Sequence, residues 1–220
     1  MKVERKYSKG RTCLSIEECT SLEILSEHPD IDALFIRHFP KIEGLDLNPI
    51  VNCKQLSELS LSTIPGWDGS GKTLKIKSFS PLAELKNLKE IRVLDVIPLE
   101  DGIEPLKEIK SLNSINLARK YYQLEDYASI KSALPMIQGL EPIKQMNFKS
   151  LCSKCNKYPE LYLEGTKPRA RAYVCPKCNI KAINKHLERW KIANGTPSYE
   201  EFIGATPEDL HKQFGKPEYA

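Results

Sequence analysis

LNPIVNCKQLSELSL (47–61), FSPLAELKNLKEIRV (79–93) and IEPLKEIKSLNSINL (103–117) are three versions of one phrase. Each opens on an apolar residue, carries a proline two places later (Pro49, Pro81 and Pro105), and closes on an aliphatic–x–aliphatic pair. The closing pairs are Leu59/Leu61, Ile91/Val93 and Ile115/Leu117. A phrase repeated at this length marks one small structural unit used several times, and such arrays serve mainly as extended binding surfaces.

Working outward, Ile31, Leu56, Leu88, Leu112 and Leu134 mark five units, each followed three residues later by Leu34, Leu59, Ile91, Ile115 and Ile137. Their separations are 25, 32, 24 and 22 residues by subtraction. Leu14 and Ile16 begin an earlier, capping unit. The closing pairs have the period of two expected of a short strand with one buried face. The Pro-led segments place apolar residues three and four apart, which predicts a short helix or 3₁₀ turn. Asn48, Ser80 and Glu104 precede the prolines, and Asn and Ser suit a helix cap with proline just inside it.

The stretches LSELSL (56–61), LKEIRV (88–93) and LNSINL (112–117), each behind its Pro-led segment, resemble the leucine-rich repeat family, of the short-unit kind in internalin-like bacterial proteins. The resemblance spans residues 14–140 and implies an α/β solenoid with a parallel sheet on its concave face. The family usually places Asn or Cys three residues after the second strand aliphatic. Here Phe39, Ile64, Val96 and Lys120 stand there, so the turns must be satisfied in another way.

On such a fold the residues between the strand aliphatics form rows. One row is Phe35, Ser60, Arg92, Asn116 and Gln138; the next is Arg37, Ser62, Leu94, Ala118 and Leu140; Glu58 and Glu90 stand beside them. This mixed surface is the candidate grip on a protein partner.

GWDGSGKT (66–73) matches the phosphate-binding loop pattern, which would put Lys72 on phosphates and Thr73 on magnesium, with Asp95 at the end of IRVLD as a second metal ligand. That loop needs a helix starting at its lysine. The residues after Thr73 are LKIKSFSP, which alternate like a strand and reach Pro81. The motif also falls in the one 32-residue unit, so an insertion in a repeat turn explains it, with Trp67 as a candidate contact.

Cys152-x-x-Cys155 and Cys175-x-x-Cys178 have the spacing of a zinc site. Four thiolates close a tetrahedral shell and leave no position for substrate, so one structural Zn²⁺ is expected. The intervening KYPELYLEGTKPRARAYV predicts two strands around a Gly-Thr-Lys-Pro turn, and the arrangement resembles a zinc ribbon. His186 lies beyond the four cysteines and suits packing rather than ligation. Cys13, Cys19 and Cys53 read as small buried fillers.

Net charge is +4 overall. Residues 146–220 hold 13 Lys+Arg against 8 Asp+Glu, so the rest holds 20 against 21 and the basic excess is C-terminal. Arg169, Arg171, Lys177 and Lys181, interleaved with Tyr162, Tyr173 and Trp190, make nucleic-acid binding through the ribbon the first alternative function. Nucleotide binding through Lys72 and Thr73 is the second. An odd count of seven cysteines, a polar MKVERKYSKG start and no long apolar run predict a cytoplasmic protein off the membrane.

The expectation is therefore a repeat domain over 1–145, a zinc ribbon over 146–192 and a helical tail over 193–220, with starts at TPSYEEF (196–202) and TPED (206–209). Its expected role is a non-catalytic scaffold for protein–protein interaction, such as an adaptor or a toxin-neutralising immunity-type protein.

Overall fold

The structure is a computed structural model and describes residues 1–37, 44–62, 74–117, 122–145, 151–156, 158, 160–165 and 173–194. It is mixed α/β, with two compact units. The first comprises Met1–Ala118 with Leu134–Gly139, the second Arg119–Ala133 with Leu140–Ala220.

In the first unit the strands are β1 (Lys2–Ser8), β2 (Arg11–Glu17), β3 (Ala33–Arg37), β4 (Glu58–Ser62), β5 (Leu74–Ile76), β6 (Glu90–Leu94), β7 (Val96–Pro98) and β8 (Ser114–Leu117). Six of them form one sheet in the order β1-β2-β3-β4-β6-β8. All its neighbours are parallel except the β1–β2 hairpin. β5 and β7 pair separately, in parallel.

Why these residues fold so is visible in their spacing. Four 3₁₀ segments, Glu23–Glu27, Asn48–Asn52, Ser80–Glu84 and Glu104–Glu108, each lead into a strand of the large sheet. A 3₁₀ turn has three residues, so apolar side chains three apart eclipse one another on one side. Leu47, Ile50, Cys53, Leu56 and Leu59 follow that period and then step by two to Leu61, and all six are fully buried. The same run recurs from Phe79 to Val93 and from Ile103 to Leu117, buried throughout. Across the sheet, Leu14, Leu34, Leu59, Ile91 and Ile115 stand opposite one another strand by strand, and so do Ile16, Ile36, Leu61, Val93 and Leu117.

The starts of the 3₁₀ segments differ from expectation. Asn48 and Ser80 are not caps; Leu47 and Phe79 hold the cap positions and make no side-chain cap bond. The polar group that receives the free backbone N–H lies two residues earlier. Asp46 Oδ1 accepts from Asn48 N–H at 2.9 Å, Ser78 Oγ from Ser80 N–H at 3.0 Å, and Ser21 Oγ from Glu23 N–H at 3.2 Å. These are Asx- and Ser-type turns, in which a short polar side chain accepts from a backbone N–H two residues on.

The turn after β6 is likewise solved by backbone. Asp95 takes a left-handed φ of +55°, and its carbonyl accepts from Leu74 N–H at 2.8 Å as β5 and β7 begin to pair. Val96, where the repeat family usually has Asn or Cys, is buried in β7. Phe39, Ile64 and Lys120 lie outside the described residues.

The fifth repeat sits three residues away from its expected register. Asn113 N–H donates to Lys89 O at 2.8 Å, and Gln138 N–H donates to Asn113 O at 2.8 Å in the same manner. Gln138 therefore corresponds to Asn113, and Ile137 takes the place of Leu112. The last separation becomes 137 − 112 = 25 residues, not 22. Gln138 bridges Ser114 instead of lying beside Asn116. Gly139 (φ +91°) permits this, since a Cβ there would lie 2.0 Å from Ile115 O.

In the second unit, α1 (Leu124–Ala133) is followed by β9 (Ile143–Gln145), β10 (Leu161–Leu163), β11 (Tyr173–Val174) and α2 (Ile180–Asn194). The strands form an antiparallel sheet in the order β11-β10-β9. Ile143, Leu161, Leu163 and Val174 from the sheet bury against Ile183 and Leu187 of α2. Pairing of β10 with β11 matches the expected hairpin. The third strand, β9, and α1 belong to this unit, although both fall within residues 1–145, assigned to the repeats on sequence. Among the described residues no helix is long and apolar enough to cross a membrane.

Candidate functional site

The exposed side of the large sheet is built by the register just described. Phe35, Ser60, Arg92 and Asn116 stand in one row, preceded by Ser15 of β2. Arg37, Ser62 and Leu94 form the next, preceded by Glu17. A third row runs Cys13, Ala33, Glu58, Glu90 and Ser114.

Exposure differs sharply along these rows. Glu90 and Arg92 are exposed and Leu94 is 45% exposed, whereas Phe35, Arg37, Ser60 and Asn116 are half-buried. Glu58 and Ser62 are nearly buried, so neither is the open contact that the spacing predicts. Arg11 Nη1 reaches Glu58 Oε2 at 3.2 Å, over the small Ala33 on the intervening strand. Leu140 is buried rather than in an exposed row, and Gln138 leaves the row of Asn116, as the shifted fifth repeat requires. Ala118 lies outside the described residues. Among the described residues no ion pair engages Glu17, Arg37, Glu90 or Arg92.

Sequence reasoning missed the β2 contribution of Arg11, Cys13, Ser15 and Glu17. The alternation in RTCLSIE (11–17) carries that signal. Cys13 is consequently half-buried on this face and not a core filler, while Cys19 and Cys53 are buried as expected. Burial pushes both of those thiols up to about 11.

In the second unit, the four sulfurs of Cys152, Cys155, Cys175 and Cys178 all lie within 4.8 Å of one another. Two chain segments of the same design hold them: CSKCN (152–156) and CPKCN (175–179). In the first, Lys154 N–H points at Cys152 Sγ at 3.4 Å and Asn156 N–H at Cys152 O at 2.8 Å. In the second, Cys178 N–H points at Cys175 Sγ at 3.4 Å and Asn179 N–H at Cys175 O at 3.0 Å. Asn156 closes the first with a left-handed φ of +48°, and Asn179 Oδ1 accepts from Cys175 N–H at 3.1 Å.

Cys155 and Cys175 sulfurs are 3.7 Å apart. Tetrahedral coordination with metal–sulfur bonds of about 2.3 Å places its ligand sulfurs about 3.8 Å apart, so the donor set fits one ion. The backbone N–H groups of Cys155 and Lys154 pull the Cys152 thiol below its ordinary value. Loss of solvation and then the neighbouring sulfurs push Cys178 up to about 12, and loss of solvation also raises Cys175. Four sulfurs this close cannot all ionise without a cation, and a bound ion supplies that charge. The cluster can hold a metal ion, through soft ligands that leave no open position.

His186 takes no part. It is buried, and its Nε2–H donates to Pro142 O at 3.0 Å. Of the residues proposed for nucleic acid, Lys177 and Lys181 are exposed, and Arg169 and Arg171 lie outside the described residues. Tyr162 and Trp190 are buried, which removes two of the three aromatic platforms; Tyr173 is 38% exposed and meets Tyr162 edge-on at 5.2 Å. Trp67, Lys72 and Thr73 also lie outside the described residues. Leu74–Ile76 directly after them is strand β5, not the helix a phosphate loop requires, and IRVLD forms β6 up to Leu94.

No family model matches this chain, and no curated protein matches it. Among solved structures it is similar to an internalin C2 from Listeria monocytogenes str. 4b F2365, at 16% identity and a TM-score of 0.29, over 57% of this chain and 68% of that one.

Proposed function

We propose that this protein is a non-catalytic scaffold of the leucine-rich repeat type, a solenoid whose exposed sheet face binds a protein partner. The observation that carries the reading is the row of Phe35, Ser60, Arg92 and Asn116 beside Arg37 and Leu94. Charged groups with no ion-pair partner among the described residues, next to an exposed Leu94, make a surface with both polar and apolar purchase. We assign the four-cysteine cluster to one structural Zn²⁺ that holds the second unit together. Adaptor and toxin-neutralising immunity roles are the two forms this scaffold takes in our reading, and the odd count of seven cysteines supports a cytoplasmic location.

The test is affinity purification from cells with and without nuclease, comparing wild type with Arg92→Glu plus Leu94→Asp. A stoichiometric partner retained by wild type and lost from the variant is the expected result. A partner set that vanishes on nuclease treatment overturns the reading in favour of nucleic acid bound through the exposed Lys177 and Lys181. Magnesium-dependent ATP binding that Lys72→Ala abolishes favours the nucleotide reading instead.

A further inference from the structure

We propose that β1 is a dimerisation strand, pairing antiparallel with β1 of a second copy of this chain about a two-fold axis at Arg5. β1 ends the large sheet, and all seven of its residues are exposed, including Val3 (39%) and Tyr7 (77%). Thr12 turns both its backbone groups toward β3: its N–H donates to Asp32 Oδ2 at 2.7 Å and its carbonyl accepts from Asp32 N–H at 2.8 Å. Backbone direction alternates along a strand, so Arg11, Cys13, Ser15 and Glu17 turn toward β1 and engage Ser8, Lys6, Glu4 and Lys2. Val3, Arg5 and Tyr7 therefore direct their N–H and C=O groups away from the sheet, ready for another strand.

The sequence of this edge is complementary to itself in one register. With Arg5 opposite Arg5, the whole of KVERKYS overlaps. Val3 then faces Tyr7 twice and Glu4 faces Lys6 twice, and Val3, Arg5 and Tyr7 supply about six backbone hydrogen bonds. Sliding by two residues one way sets Glu4 against Glu4 and Lys2 against Lys6. Sliding the other way sets Lys6 against Lys6. Odd shifts are excluded because a two-fold axis through the sheet keeps each residue on its own face.

Charges on an edge strand ordinarily repel partners; here they select one pairing. Glu4 and Lys6 already sit 2.7 Å apart on one face, so the paired strands bring together four alternating charges. The central arginines are offset by Asp30, whose Oδ2 lies 2.6 Å from Arg5 Nη2. On the opposite face, Val3 and Tyr7 cover each other's exposed apolar surface.

A single strand pair buries less than the roughly 1,200 Å² of a stable interface, so the dimer is weak, with Kd on the order of 10–100 μM. Sedimentation of the full metal-loaded chain from about 5 μM to 1 mM should show reversible monomer–dimer exchange in that range. Lys6→Glu should weaken it at least about tenfold, and Glu4→Lys plus Lys6→Glu should restore it to within about threefold. Val3→Pro, which removes an outward N–H and no bond to β2, should abolish it. Circular dichroism reports that each variant keeps its fold. A monomer at 1 mM, a dimer indifferent to Lys6→Glu, or failure of the charge swap to restore pairing each overturns the proposal.

Discussion

The imidazole of His186 gives its Nε2–H to the carbonyl of Pro142 at 3.0 Å, 44 residues earlier in the chain. Because a carbonyl only accepts, the bond fixes the tautomer, and burial makes the ring hard to charge.

The burial of that ring predicts a pH dependence. Loss of solvation lowers His186 from 6.5 to about 4; Arg189 adds to the shift, while the Pro142 bond and Glu125 oppose it. The unfolded chain thus binds this proton more readily than the folded one. Stability is complete above pH 6.5 and falls as pH drops from 6.5 to 4, by roughly 3 kcal/mol in all. Urea unfolding between pH 7.5 and 5, with metal present throughout, should show a shallower pH slope in His186→Gln than in wild type.

Gly139 and Gly102 make a matched pair. Both have positive φ, but a Cβ at Gly102 meets nothing within 4 Å, whereas one at Gly139 meets Ile115 O at 2.0 Å. Gly102→Ala should cost about 1 kcal/mol from backbone strain alone. Gly139→Ala should cost at least about 3 kcal/mol, because the clash is with backbone that cannot rotate away. Thermal unfolding of the two variants checks the contrast.

Leu59 stands between Leu34 and Ile91 and is fully buried, while Ser60 beside it faces the other side of the sheet. Leu59→Ala should destabilise by about 2–5 kcal/mol, and Ser60→Ala by no more than about 0.5 kcal/mol. Equal costs would contradict the alternation on which the candidate binding rows rest.

Elemental analysis of protein purified without chelator should give about one zinc per chain. Cys152→Ser should lose the metal and Cys19→Ser should keep it, since Cys19 is buried in the other unit. Chelation should reduce helical circular dichroism by the share that α2 carries, because a closed thiolate site links metal binding to folding.

The buried stack and the alignment of Phe35, Ser60, Arg92 and Asn116 were legible because aliphatics recur at spacings of three and then two. The fifth repeat was not. Leu134, Ile137 and Leu140 are three residues apart, so two framings fit the same pattern, and the choice rests on Gly139 tolerating contact with Ile115 O. The β1–β2 hairpin went unread although Lys9 and Gly10, both at positive φ, form the two-residue turn that favours such hairpins. Its charged outer strand gives little hydrophobic alternation to find. In the second unit the cysteine spacing pointed to the cluster directly. The β9 strand is only three residues long, and its pairing with β10 depends on contacts far along the chain.

One hydrogen-bonded column runs through the first unit: Asp32 to Thr12, Ser57 to Asp32, Lys89 to Ser57, Asn113 to Lys89 and Gln138 to Asn113, each at 2.8–2.9 Å. The step from Ser57 to Lys89 spans 32 residues and that from Lys89 to Asn113 spans 24, by subtraction, yet both make the same rung. The sheet counts rungs, not residues. Lineages of this chain can therefore lengthen or trim what lies between two rungs without disturbing the pitch of the ladder. A whole unit can also be spliced out, provided the cut joins one rung residue to the next.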